Sequence, residues 1–182
     1  MDADLMVVGQ DWGTTDYFLK WKGLDQSQGN PTNDNLRRLL HSIGVEIHPP
    51  GADQRGEIFL TNAILCLKQG NLQAPVRDEW FRNCGRKFLK PQIQIVKPKV
   101  VVALGNKAFR AILNAYGIHY AWPRTYRRVV ELGCVKLPKE ILVFPVYHCG
   151  ARVMNTHRDL EAQLNDWKPI GKALRSGEED AV

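Results

Sequence analysis

Val100-Val101-Val102-Ala103-Leu104 is an apolar run without a polar interruption, closed by Gly105 and preceded by Pro98-Lys99. A strand with one wet face alternates apolar and polar side chains. An unbroken run rich in β-branched residues belongs to a strand covered on both faces, the habit of parallel sheets. Working outward, further short apolar runs recur at 5–8, 58–60 and 141–146. Helical spacing fills the intervals. Leu36, Leu39, Leu40 and Ile43 share one face of a helix over 35–43. Trp80, Phe81, Cys84, Phe88 and Ile95 mark another over 78–96, which Pro91 is expected to kink or split. Asn106 is a good N-cap for a helix that stops at Gly117, and a helix over 154–167 closes the unit. Strands alternating with helices predict an α/β protein, a three-layer α/β/α sandwich around a mostly parallel sheet of roughly four strands. Residues 1–168 are read as one domain and 169–182 as a flexible C-terminal tail. Segments 21–32 and 117–140 are read as long loops, the second one basic.

With 182 residues and 44% hydrophobic content, the chain can bury one sizeable core but hardly two. No apolar run approaches the ~20 residues of a membrane span, and no leader-like segment precedes the first strand. Cys66, Cys84, Cys134 and Cys149 are too scattered for a disulfide framework, so a reducing, cytoplasmic setting is expected. The net charge of +6 and isoelectric point near 9.2 suit a polyanionic partner such as nucleic acid. A monomer is expected.

The chemistry concentrates just past the strand ends. Gly9-Gln10-Asp11-Trp12-Gly13 follows the first strand, Thr61-Asn62 ends the second, and Tyr147-His148-Cys149-Gly150 follows the last. A carboxylate, an amide and an imidazole thus stand at the C-terminal rim of an open sheet, where such folds bind ligands. Each has a plainer reading alone: Asp11 as a turn residue or cap, Asn62 as a turn former, His148 as an edge histidine with satisfied hydrogen bonds. No Gly-rich phosphate loop follows any strand, which argues against a nucleotide-binding protein. His41, His48, His119 and His157 have no metal-like spacing. Trp122, Arg124, Tyr126, Arg127 and Arg128 form a basic, aromatic cluster that fits either a solvated loop or contact with a nucleic-acid backbone.

Taken in order, Gly9-Gln10-Asp11, Thr61-Asn62, the stretch from Pro98 to Gly105 and His148 resemble the uracil-DNA glycosylase superfamily over most of the chain. Thr61 to Cys66, Glu79 to Cys84 and Lys97 to Ala108 look most like the family 4 type. The resemblance implies hydrolysis of the N-glycosidic bond of uracil in DNA, leaving an abasic site, with DNA as the partner and base excision repair as the setting. In such a cleavage positive charge grows on the sugar and negative charge on the departing base. By the resemblance, Asp11 stabilises the cation and activates water, and His148 donates to uracil O2. Asn62 accepts from N3–H and donates to O4, a polarity that cytosine inverts at both positions. Gln10 and Gly13 would shape the pocket floor, with Trp12 or Tyr17 walling it. Arg152 falls where the family carries an intercalating leucine, and Arg124, Arg127 and Arg128 would meet DNA phosphates.

The departures are as informative. Gln10-Asp11 is a family 1 trait, yet Gly13 replaces the tyrosine that excludes thymine there. Thr32 falls where a base-stacking phenylalanine belongs, and Cys149 replaces a proline. Cys66 and Cys84 match two of the four ligands of the family 4 iron–sulfur cluster. No cluster is expected in this chain; a [4Fe–4S] cluster would need further N-terminal cysteines in the natural protein. The alternatives are a glycosylase for another deaminated base, hypoxanthine or xanthine, and a uracil-DNA-binding protein without turnover.

Overall fold

The computed structural model describes residues 3–21, 29–47, 58–71 and 74–176. The sheet order is β2-β1-β3-β5-β4, with β1 Leu5–Gly9, β2 Ile58–Asn62, β3 Val100–Leu104, β4 Val135–Lys136 and β5 Leu142–Val146. The first four strands in that order are parallel, and short β4 runs antiparallel to β5. The fifth strand lies in the segment expected to be loop.

Alternate residues of each central strand feed two cores. Met6, Val8, Val101, Ala103 and Val143 pack on one face; Leu5, Val7, Val100, Val102, Phe144 and Val146 pack on the other. The first core is covered by α4 (Lys90–Val96), α5 (Asn106–Ala115) and α6 (Tyr126–Glu131). The second is covered by α2 (Pro31–His41), α7 (Ala151–Thr156) and α8 (Leu160–Arg175). This is the expected three-layer sandwich. All five residues of β3 are buried, as their uninterrupted apolar run requires.

Pro145 sits in β5 without breaking it. Gly105 N–H donates to Val146 O, and Leu142 N–H donates to Lys99 O, so the even-numbered residues of β5 face β3. Pro145 therefore turns toward the side where β4 has already ended, and its missing N–H removes no ladder bond.

The helix expected over 78–96 is continuous through Pro91. Between α3 (Asp78–Cys84) and α4, residues Gly85–Leu89 form a π-helical turn. The wider turn makes room for the proline ring, which would otherwise meet the carbonyl four residues earlier. Gly85 lies where a Cβ would be 3.5 Å from that of Ala115.

Three further expectations are corrected. The helix expected over 154–167 is two helices, α7 and α8, broken at residues 157–159, where Asp159 caps α8 by accepting from Ala162 N–H. The C-terminal tail does not begin at 169: α8 continues to Arg175, with Trp167, Ile170 and Gly171 buried. At Gly171 a Cβ would come within 3.1 Å of Ile43, so the glycine lets α8 lie close against the end of α2. Residues 177–182 lie outside the described residues, as do 22–28 of the expected loop. Finally, Asn106 is the first residue of α5 rather than its cap; Gly105, at φ 89°, holds the cap position. No described helix is long and apolar enough to cross a membrane.

Candidate active site

Register brings the candidate residues to one edge. Gly9 pairs with Asn62 across β1 and β2, Val8 with Ala103, and Leu104 with Val146. The turn that carries Gln10 and Asp11, the end of β2 at Asn62 and the loop that carries His148 therefore leave the sheet at the same rim. The β1–β2 ladder continues past the strands, with Ala63 N–H donating to Gly9 O and Ile64 N–H to Gln10 O. Asn62 is held over Gly9 so closely that a Cβ there would lie 2.4 Å from Asn62 Oδ1.

Asp11 is largely buried and held by donors on both oxygens. Gln10 Nε2 donates to Oδ2 at 2.9 Å, and Gly13 N–H donates to Oδ1 at 2.9 Å. Lys68 Nζ lies 3.2 Å from Oδ2, with 5% of its side chain exposed against 10% for Asp11. Gly13 has φ 82°, a conformation natural to glycine, and this lets its N–H turn back onto the carboxylate.

His148 is reached from β5 through Tyr147. Gly150 N–H donates to His148 Nδ1 at 2.9 Å, so Nδ1 is an acceptor and the neutral ring carries its proton on Nε2. Burial pushes His148 below the usual imidazole range, against the opposing pull of the Asp11 carboxylate. The loop is braced from two sides. Asn35 Nδ2 donates to Cys149 O at 2.9 Å, and Cys149 Sγ donates to Thr32 O at 3.4 Å. Gln163 Nε2 donates to Arg158 O at 3.0 Å and reaches His148 O at 3.4 Å. The Cys149 thiol, buried under α2, is pushed up to about 12 and stays protonated.

The remaining site residues divide. Thr32 stands beside the histidine loop, its Oγ1 3.3 Å from where a Gly150 Cβ would be. Trp12 packs edge-on against Phe18 of α1 (Thr15–Trp21), with ring centroids 5.3 Å apart. The Tyr17 hydroxyl accepts from Asn30 Nδ2, and Asn30 caps α2 by accepting from Thr32 N–H and Asn33 N–H. Arg152 is exposed in the first turn of α7. Arg127 and Arg128 both bridge to Glu131, whose carboxyl they hold below the usual range. Arg124 is exposed and has no ion-pair partner among the described residues. Tyr126 Oη donates to Val146 O, which brings the start of α6 to the end of β5.

Cys66 and Cys84 come together: burial pushes the Cys66 thiol up, and the neighbouring Cys84 adds to the shift. Cys134 is exposed near β4, and Cys149 is buried under α2. Among the described residues no group of three or more His, Cys, Asp or Glu could hold a metal. Two thiols do not fit a four-iron cluster, which takes four cysteine ligands.

Lys68 and Gln163 are the residues the sequence did not point to. A lysine in a loop is ordinarily a solvated charge, and neither residue stands in a recognisable motif.

Fold, rim and sequence agree on the class. The sequence profile of the Uracil DNA glycosylase superfamily matches residues 1–169, and the chain belongs to that superfamily. It is 32% identical over 153 residues to a type-4 uracil-DNA glycosylase of Sulfurisphaera tokodaii, covering 84% of this chain and 62% of the relative. It is 28% identical over 138 residues to a type-4 uracil-DNA glycosylase of Archaeoglobus fulgidus, covering 75% and 62% respectively. A type-5 uracil-DNA glycosylase of Pyrobaculum aerophilum is 28% identical over 136 residues, covering 71% of this chain and 55% of the relative. The matches thus span about three fifths of the length of these relatives. The type-4 names agree with the branch that the Thr61 to Cys66 and Lys97 to Ala108 stretches resemble.

Proposed function

We propose that this chain is a monofunctional DNA glycosylase that hydrolyses the N-glycosidic bond of deoxyuridine in DNA and leaves an abasic site for base excision repair. The observation that carries the reading is the meeting of Asp11, Asn62 and His148 at one rim through the β1–β2 and β3–β5 registers.

The target base leaves the stack to reach the rim, at a cost of a few kcal/mol. Asn62 then reads uracil, its amide oxygen accepting from N3–H and its NH2 donating to O4. Cytosine would leave both groups unpaired, which a site of this kind rejects strongly. As the glycosidic bond lengthens, charge builds on uracil O2. The neutral His148 ring supplies a preorganised Nε2–H there, and one such donor is worth roughly 3 kcal/mol. Asp11 faces the sugar cation and accepts a hydrogen bond from the attacking water, which adds to the anomeric carbon. The uracil anion takes up a proton as it leaves.

Thr32 beside the histidine loop and the absence of a side chain at Gly13 leave the pocket without the bulk the superfamily often puts at those places. That favours hypoxanthine or xanthine as a second substrate class. Exposed Arg152, in the turn that follows the histidine loop, and exposed Arg124 are assigned to hold the opened duplex.

The test is a glycosylase assay on matched oligonucleotides that contain uracil, hypoxanthine, xanthine, thymine opposite guanine, or no lesion. Alkali-labile product from uracil, lost in Asp11→Asn and His148→Ala, is the expected result. Product from purines alone would move the reading to the second substrate class. Tight binding without product would make the chain a uracil-DNA-binding protein.

A further inference from the structure

Lys68 brings a buried cation into this site, and buried lysines are rare unless paired. It pairs with the candidate catalytic carboxylate: Nζ lies 3.2 Å from Asp11 Oδ2. Taking both charges out of water costs several kcal/mol per ion before their attraction offsets it. An apolar residue would fill the same space without that cost.

The bonding of Asp11 is lopsided. Among the described residues, Oδ2 receives Gln10 Nε2 and Lys68 Nζ, while Oδ1 receives only Gly13 N–H. An ionised carboxylate offers about four acceptor positions, so the position left open lies on Oδ1. Lys68 is itself fixed from α1, where Thr15 Oγ1 donates to Lys68 O at 3.0 Å. Its loop is joined to the catalytic turn by the Ala63 and Ile64 N–H bonds to Gly9 O and Gln10 O. Among the described residues the charge of Asp11 is also felt by His148 and Cys66, neither of which bonds to it directly.

We infer that Lys68 is a positioning residue: its ammonium clamps Asp11 Oδ2 and so leaves Oδ1 as the atom that orients the attacking water. This rests on the glycosylase reading and adds a residue to it.

The test is single-turnover excision of uracil by the wild type, Lys68→Met, Lys68→Arg, Asp11→Asn and the double variant Asp11→Asn/Lys68→Met, each checked for folding by thermal melting. Lys68→Met is expected to slow cleavage about 10- to 100-fold at unchanged half-saturating enzyme concentration, and Lys68→Arg to recover most of the rate. In the Asp11→Asn background the same Lys68→Met change is expected to cost less than ~3-fold, because the group through which it acts is gone. The double variant removes both buried charges, so it folds even where Lys68→Met leaves a carboxylate unpaired; the comparison with Asp11→Asn then decides the matter alone. An equal loss in both backgrounds, or an undiminished Lys68→Met, overturns the inference while leaving the glycosylase reading intact. A wild type that excises no base overturns both.

Discussion

The side-chain oxygen of Asn62 occupies the space that a methyl group on Gly9 would need, 2.4 Å from the position of that Cβ. The two residues are register partners across β1 and β2, so the glycine on one strand sets the pose of the amide on the next. The group in the way is the tip of a short side chain, which can swing aside. Gly9→Ala is therefore expected to change stability by no more than about 1 kcal/mol and to cut uracil kcat/KM on the order of 10²-fold, the cost of misplacing a positioned group by about 1 Å. Thermal melting and steady-state kinetics on one preparation separate the two effects.

Asn62→Asp keeps the shape and removes the donor to O4. Uracil kcat/KM is expected to fall by at least 10²-fold, on the order of the loss of a preorganised polar contact. Unchanged uracil turnover in this variant would take Asn62 out of base recognition.

His148 predicts the pH response. Burial lowers its folded pKa below the value of about 6.5 it has when unfolded. The unfolded chain therefore binds more protons in the interval between the two, and stability rises with pH there. The contribution is complete above about 6.5 and is lost as pH falls through the folded value. Protonation also puts a hydrogen on Nδ1, facing the Gly150 N–H that now donates to it. Activity is expected to be flat above neutrality and to fall in acid. In His148→Gln the rate should be lower throughout and the histidine-linked acid limb absent; pH–rate profiles of the two proteins check this.

The arginines should divide by their existing partners. Arg127 and Arg128 are already engaged by Glu131, whereas Arg124 and Arg152 are exposed without an ion-pair partner among the described residues. Arg152→Ala and Arg124→Ala should each weaken DNA binding and reduce the slope of log K against log salt by about 0.9. Arg127→Ala and Arg128→Ala should change it less. Fluorescence anisotropy across a salt series measures the slopes.

The turn between β4 and β5 stores removable strain on the side of the sheet away from the site. Lys139 and Glu140 stand at φ 67° and 60°, and Leu137 N–H bonds to Ile141 O across them. Hairpin turns with two residues at positive φ favour Asn-Gly. Lys139→Asn/Glu140→Gly is expected to stabilise by about 1 kcal/mol with uracil excision unchanged. The exposed Lys136–Glu140 pair that is lost contributes little. Chemical denaturation reads the gain.

Much of the architecture was legible in the chain. The five apolar residues of β3 announce a strand buried on both faces because burial requires that composition at every position. Gln10-Asp11, Asn62 and His148 could be singled out because each stands at or just past the end of a strand that could be read. Other features were less local. Two residues of β4 are too short a pattern to distinguish from loop. The continuation of α8 past Pro169 goes with the burial of Ile170 and the close fit of Gly171 against Ile43. The π-helical turn ahead of Pro91 is likewise an accommodation that periodicity does not report.

Sequence by itself determined the class of fold and the sheet edge where the candidate carboxylate, amide and imidazole gather, because strand order and strand ends follow from the pattern of residues along the chain. Tertiary structure decided the rest. It set the close approach of Asn62 to Gly9 and the pairing of Asp11 with a lysine 57 positions away. Each is a contact between segments remote in sequence, and its energy exists only once the strands and loops have brought the partners out of water and within bonding distance.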